Sequence, residues 1–202
     1  SDAGSYVITA DFVPDDTVNY DSITGVSAGS FTIARAATTT AIDCGVGPYT
    51  YTGSAQTPCT ATVTGPGGLS EAVTVSYSSN TNVGVAAAGA NYAGGANYLP
   101  SSAAGSFIIA KAPTTTTISC GVGPFAYTGA AIEPCAATVS GPGGLSHAVP
   151  VTYADNLEAG TASVSASFAG GINYLLSSGT ATFTIAPAAT TTVVTCSGGP
   201  FS

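Results

Sequence analysis

The sequence contains very little charge. Charged residues make up 6% of its 202 positions, with only two basic residues, Arg35 and Lys111, against ten acidic ones, and the net charge is −8. A protein that binds nucleic acid or an anionic membrane surface needs clustered basic side chains to neutralise phosphates. The composition therefore excludes both partners. No apolar run approaches the roughly 20 residues that span a bilayer, so membrane insertion of this segment is excluded as well.

Residues that build catalytic sites are also scarce. His147 is the single histidine, so no histidine-based site recurs along the chain, and no base is placed to activate any of the many serines. We expect no catalytic residue, no cofactor and no metal site, and we expect that the protein is not an enzyme. A methionine and a signal peptide are also absent, which favours an interior piece of a larger polypeptide.

The residues that are present favour short β-strands. Apolar residues make up 45% of the sequence, whereas disordered chains combine low hydrophobicity with high charge. Valine, isoleucine, tyrosine and phenylalanine recur between turns that contain glycine and proline, a mixture that favours strands over helices. We therefore predict an all-β fold.

The sequence repeats at a constant interval. The motifs CGVGPYTYTG, CGVGPFAYTG and CSGGPFS begin at Cys44, Cys120 and Cys196, which are evenly spaced. Aligning 35–110 with 111–186 needs no gap and gives 44 identical positions of 76. Such self-similarity is the signature of a tandem array. We predict four segments: the C-terminal part of a repeat at 1–34, complete repeats at 35–110 and 111–186, and the N-terminal part of a further repeat at 187–202.

Each complete repeat holds roughly seven short strand patterns separated by turn residues, which is typical of an immunoglobulin-like antiparallel β-sandwich. The sequence AVTVSY at 72–77 alternates between apolar and polar residues. It is predicted to form one strand with Val73, Val75 and Tyr77 on one face, and the second repeat has the same pattern. The glycine-rich GPGGLS that precedes it lacks the lysine of a phosphate-binding loop and is predicted to be a hairpin turn.

Three motifs of the second repeat, PFAYTGAAIEPCAATVSGPGG, EAGTASVSASFAGGINY and SSGTATFTIA, carry a family resemblance. Together they resemble the glycine-rich bacterial immunoglobulin-like repeats known as MBG repeats. Repeats of that family occur in tandem within large secreted or surface-anchored bacterial proteins. The resemblance implies an extracellular spacer, stalk or adhesin, and it implies no catalytic residues.

The five cysteines follow the repeat. Cys44 and Cys59 have the same spacing as Cys120 and Cys135, and each pair brackets a turn-rich hairpin. We predict a disulfide in each repeat, which indicates an oxidising, extracellular compartment. Zinc is the competing interpretation, disfavoured because each repeat offers two sulfurs and no nearby histidine. Cys196 is expected to pair with a cysteine at the same spacing, at a position outside the chain.

Four other features of the sequence need interpretation. The five acids nearest the N-terminus form either a calcium site or a solvated loop. His147 is interpreted as a solvated loop residue, since the preceding repeat has Glu71 in its place. The threonine runs at 38–40, 114–117 and 190–192 are interpreted as β-branched first strands, as O-glycosylated collars, or as both. Any glycan there would be O-linked, because no Asn-x-Ser/Thr sequon exists. Four tyrosines are interpreted either as an exposed ligand-binding cluster or as packing residues: Tyr49, Tyr51, Tyr92 and Tyr98.

The function expected from this organisation is structural. Only two to four residues, including a proline, separate the last strand of one repeat from the first strand of the next, so we expect a stiff, rod-like array. The expected partners are neighbouring repeats of the same chain and copies of itself in a filament or layer. The alternative is an adhesin whose repeats bind a glycan or protein.

Overall fold

The computed structural model describes residues 1–196, 198 and 199, and its regular structure consists of β-strands apart from two short 3-10 turns. The chain divides into two compact units. The first contains Ser1–Tyr49 and Ala55–Ile109, and the second contains Thr50–Ser54 and the residues from Ala110 onward. The all-β class predicted from the composition is confirmed.

The first unit begins with a separate hairpin. Strand β1 (Gly4–Phe12) pairs antiparallel with β2 (Ile23–Ile33), and the two form a sheet of their own. Seven further strands follow the hairpin: β3 (Thr39–Asp43), β4 (Tyr49–Thr50), β5 (Thr60–Gly65), β6 (Leu69–Ala72), β7 (Val75–Ser78), β8 (Gly84–Tyr92) and β9 (Ser101–Ala110). They form one sheet in the order β3-β5-β6 and another in the order β4-β9-β8-β7.

The second unit contains the same seven strands in the same order. They are β10 (Thr115–Cys120), β11 (Phe125–Ala126), β12 (Cys135–Gly141), β13 (Leu145–Val149), β14 (Val151–Ala154), β15 (Gly160–Phe168) and β16 (Ser177–Ala186). Their sheets have the orders β10-β12-β13 and β11-β16-β15-β14. The pairings in these two sheets are antiparallel except that of β11 with β16, which is parallel.

Alternating apolar residues of both sheets supply the core of the second unit. Ala162 and Val164 of β15 and Phe183 and Ile185 of β16 are buried and form one cluster with Cys135 of the other sheet. Because successive side chains of a strand point to opposite faces, the intervening serines and threonines lie at the surface. Burial of these apolar side chains against each other is the main stabilising contribution to each unit.

The predicted strand at 72–77 is wrong in one respect, because the chain forms two strands there. Strand β6 ends at Ala72 and β7 begins at Val75, and the second unit breaks at Pro150 between β13 and β14. The two halves of the run pair in different sheets. Proline has no N–H to continue a ladder, which accounts for the break in the second unit. Thr74 occupies the corresponding position in the first.

The turn predicted for GPGGLS is present in both units as a short 3-10 turn, Pro66–Gly68 and Pro142–Gly144. Gly67 and Gly68 have φ values of 73° and 82°. Side chains with a Cβ rarely adopt this left-handed conformation, so the turn requires glycine at both positions. The turn connects β5 to β6 and so sets their antiparallel register.

Candidate functional site: the disulfide hairpins and the exposed surface

A disulfide joins the predicted cysteines within each unit. In the second unit, Cys120 is the last residue of β10 and Cys135 the first of β12, and the ladder places them directly opposite each other. Their Cα atoms are 3.9 Å apart, and those of Cys44 and Cys59 are 3.8 Å apart. Both cysteines of the second unit also belong to the core cluster or pack against it. The cross-link therefore closes the loop and contributes to the core.

A tyrosine hydroxyl binds both backbone groups of the second cysteine, a feature that the sequence reasoning missed. The hydroxyl of Tyr153 accepts a hydrogen bond from the N–H of Cys135 and donates one to its carbonyl, both at 2.8 Å. Tyr77 makes the same two bonds to Cys59, at 2.9 and 2.8 Å. The recurrence of tyrosine at this position in both repeats was the available signal. The identity of its partner, well upstream in the sequence, became visible only in the fold.

The four tyrosines considered for ligand binding are each half-buried, so their interpretation as an exposed cluster is wrong. The ring of Tyr49 packs edge-on against Phe107 at 5.6 Å, and its hydroxyl donates to the carbonyl of Cys44. Tyr98 donates to the carbonyl of Pro66 at 2.9 Å. Tyr51 packs edge-on against Tyr174 within the second unit, and Tyr92 ends β8. At least three of these side chains are therefore engaged in packing or in bonds to the backbone.

Three of the five N-terminal acids accept hydrogen bonds through their carboxylates, and one of them is Asp2, which accepts from the Asn97 amide at 2.8 Å. The carboxylate of Asp16 accepts from the backbone N–H groups of Val18 and Asn19 and from the Asn19 amide, which holds the pKa of Asp16 below its usual value. Asp11 accepts from the N–H of Gly25 across the hairpin, at 2.6 Å. Among the described residues, histidine, cysteine and acidic side chains nowhere gather in threes that could hold a metal ion. The structure thus assigns Asp11 and Asp16 local roles.

Two threonines of the second run connect the two sheets. Thr114 and Thr116 both hydrogen-bond the hydroxyl of Ser177 at 2.8 Å, and Thr116 is buried. The first run makes the same contacts through Thr38, Thr40 and Ser101. The first two runs thus lie at or within the strands β3 and β10, as predicted. The run at 190–192 is exposed and outside any strand. O-glycosylation of the outward-facing threonines stays a prediction.

His147 lies on strand β13 and not in a loop, which corrects the prediction. It is exposed, pairs with Val139 of β12, and its ring packs edge-on against Phe168 at 5.6 Å. Cross-strand partners lie on the same face of a sheet, so His147 shares the core-facing side with the buried Val139. Its exposure shows that this part of the face is open to solvent, which lets a glutamate occupy the same position in the first repeat.

Cys196 is exposed and carries a free thiol. Its predicted partner lies outside the chain, so that pairing stays a prediction. The predicted segment 187–202 includes four positions outside the described residues: 197 and 200–202.

No protein-family model matches the chain, and no curated protein matches it. Within the part of the chain that the structure describes, no helix has the length and apolar character that a membrane crossing requires. The described residues thus form two β units, each with its own internal disulfide and its own pair of hydrogen bonds between a tyrosine and a cysteine.

Proposed function

We propose that this chain is a segment of a tandem array of immunoglobulin-like β-sandwich domains, and that the array serves as a stiff, rod-like stalk, filament or surface-layer element of a large bacterial protein outside the cell. The resemblance to MBG repeats and the short junctions between repeats support this proposal.

One observation carries it. Both units form the same disulfide between β-strands and the same double hydrogen bond from a tyrosine hydroxyl. A disulfide constrains the unfolded chain, so each unit is stabilised separately, without help from a ligand. Repeated, individually stabilised units are what a load-carrying or spacing array requires.

The disulfides also support the proposed location. Disulfides persist in secreted and surface proteins and are rare in the reducing cytosol. With only two basic residues, the chain gives trypsin few places to cleave, which suits exposure outside the cell.

Electron microscopy of the native material tests the proposal. Filaments, layers or rods of uniform width with an axial repeat of one unit support a structural array. Particles in which the units rotate freely about their junctions would contradict it and favour an isolated flexible spacer. The adhesin alternative predicts binding to a glycan or protein surface, and the half-buried state of the four tyrosines removes the sequence feature that favoured it.

A further inference from the structure

The β1–β2 hairpin leaves an apolar face exposed. On this face Tyr6 stacks on Phe31 with their ring centroids 5.3 Å apart. Phe31 is nevertheless 49% exposed. Several other apolar residues of the hairpin are also exposed by about half: Ile8, Phe12, Ile23 and Val26. A two-stranded sheet is marginally stable alone in water, so such a face requires a cover.

The other two hairpins of the same kind show what covers such a face. In the β1–β2 hairpin, Gly4 pairs with Ile33 and Tyr6 pairs with Phe31. The hairpins β8–β9 and β15–β16 have the same register. Their first glycine, Gly84 or Gly160, pairs with an isoleucine, and the residue two positions further along pairs with a phenylalanine. Those two phenylalanines, Phe107 and Phe183, are only 6% and 7% exposed.

The cover in the second unit is the three-stranded sheet. Cys135, the first residue of β12, belongs to the core cluster formed by β15 and β16, and Ile118 of β10 packs against it. Strand β10 also contacts β16 through the bond between Thr116 and Ser177. A three-stranded sheet of this pattern is therefore the natural complement of a hairpin in this register.

We infer that the apolar face of β1–β2 is a docking surface for a three-stranded sheet of the β3-β5-β6 kind, carried ahead of β1 in the same polypeptide. The order of strands supports a covalent source, because β3, β5 and β6 precede β8 and β9, and β10, β12 and β13 precede β15 and β16. A second copy of this chain is a poorer source, since the three-stranded sheet of its second unit already covers its own hairpin. This inference rests on the tandem array of the proposed function, but it concerns the folding of one unit, so its test can fail while electron microscopy still supports the role of the array.

The test extends the full chain by a copy of residues 35–80 placed ahead of Ser1. Hydrogen exchange, followed by mass spectrometry, is compared for β1 and β2 with and without the extension. We expect the extension to slow exchange in both strands at least about 100-fold, toward the rates of β8 and β9. A matched extension that carries Val63→Asp, at a position fully buried in β5, should give no protection.

A second extension, a copy of residues 111–156, is tested in case the first extension fails to fold. In each extended chain, oxidation of the added cysteine pair reports whether the extension has folded. If the added cysteines oxidise while β1 and β2 exchange as fast as in the unextended chain, the inference is wrong. It is equally wrong if neither extension protects the hairpin. Sedimentation of the unextended chain completes the test: a dimer with protected β1 and β2 would identify a second copy as the cover and overturn the covalent source.

Discussion

The double hydrogen bond from Tyr153 to Cys135 gives a prediction whose size follows from the structure. Replacing Tyr153 by phenylalanine removes one oxygen and keeps the ring, which packs edge-on against Phe183 at 6.2 Å. The N–H and the carbonyl of Cys135, a residue only 8% exposed, both lose this partner. The substitution therefore isolates the hydroxyl contribution.

The expected loss is about 2 kcal/mol of unfolding free energy, since a neutral hydrogen bond contributes roughly 1 kcal/mol net and a partner left unpaired costs about 1–3 kcal/mol. For a domain of about 60–100 residues, each kcal/mol shifts the melting temperature by about 4–8 °C, so we expect a fall of roughly 8–16 °C. Calorimetry of the oxidised chain measures it. Tyr77→Phe should lower the stability of the first unit by a similar amount.

The chain offers a matched control at Tyr49. Its hydroxyl also donates to a cysteine carbonyl, that of Cys44, but the second unit has Phe125 at the equivalent position. The two rings pack alike, Tyr49 on Phe107 and Phe125 on Phe183, each with ring centroids 5.6 Å apart. Tyr49→Phe should therefore shift the melting temperature by less than a third of the Tyr77→Phe effect. Equal shifts from the two substitutions, or none from Tyr153→Phe, would refute the reasoning.

Three further predictions concern the cross-links and the first loop. Replacing both Cys120 and Cys135 by serine should lower the unfolding free energy of the second unit by about 3 kcal/mol on the chain-entropy model, measured by denaturant titration, and a loss below about 1 kcal/mol would contradict that model here. When single molecules are stretched, each complete unit should lengthen by about 50 Å more after reduction than before it, because reduction releases the loop between the two cysteines. The same lengthening before and after reduction would mean that the disulfide had not formed. Hydrogen bonds from Asn19 hold the pKa of Asp16 below its usual value, so the turn is stabilised above that usual pKa and loses this contribution as the pH falls through the lowered pKa. As the pH falls through this range, amide exchange at Asn19 should accelerate more in the unaltered chain than in the Asp16→Asn variant. Identical pH profiles of exchange for the two proteins would contradict this prediction.

The repeat made much of the fold predictable. Because 35–110 recurs as 111–186 without a gap, each strand pattern and turn signal appears twice, and the all-β class and the seven strands per unit follow from pattern alone. The spacing of the cysteines likewise indicated pairing across a hairpin, and the structure places Cys120 opposite Cys135.

Other features depend on which strand lies beside which, and no local pattern encodes that. The alternation at 72–77 is compatible with one long strand, and only the pairing of β6 with β5 and of β7 with β8 divides it between two sheets. In the second repeat Pro150 was a usable signal for the break. The two interpretations of the tyrosines could not be separated from the sequence for the same reason, since hydroxyl partners such as the Pro66 carbonyl are distant in sequence.

A comparison of the two copies bears on the choice between a structural array and an adhesin. In the hairpins β8–β9 and β15–β16, the inward positions hold the same residues or apolar replacements. The outward positions change from apolar to polar: Val85, 67% exposed, corresponds to Thr161, and Ile108, 56% exposed, corresponds to Thr184. A surface that binds the same ligand along an array would keep its outward residues and tolerate change inside. The opposite pattern here favours selection for a stable unit whose faces are free to vary, and it supports the structural proposal over ligand binding by each repeat. The inward pairs concerned are Ala86 and Ala162, Ala88 and Val164, Phe107 and Phe183, and Ile109 and Ile185.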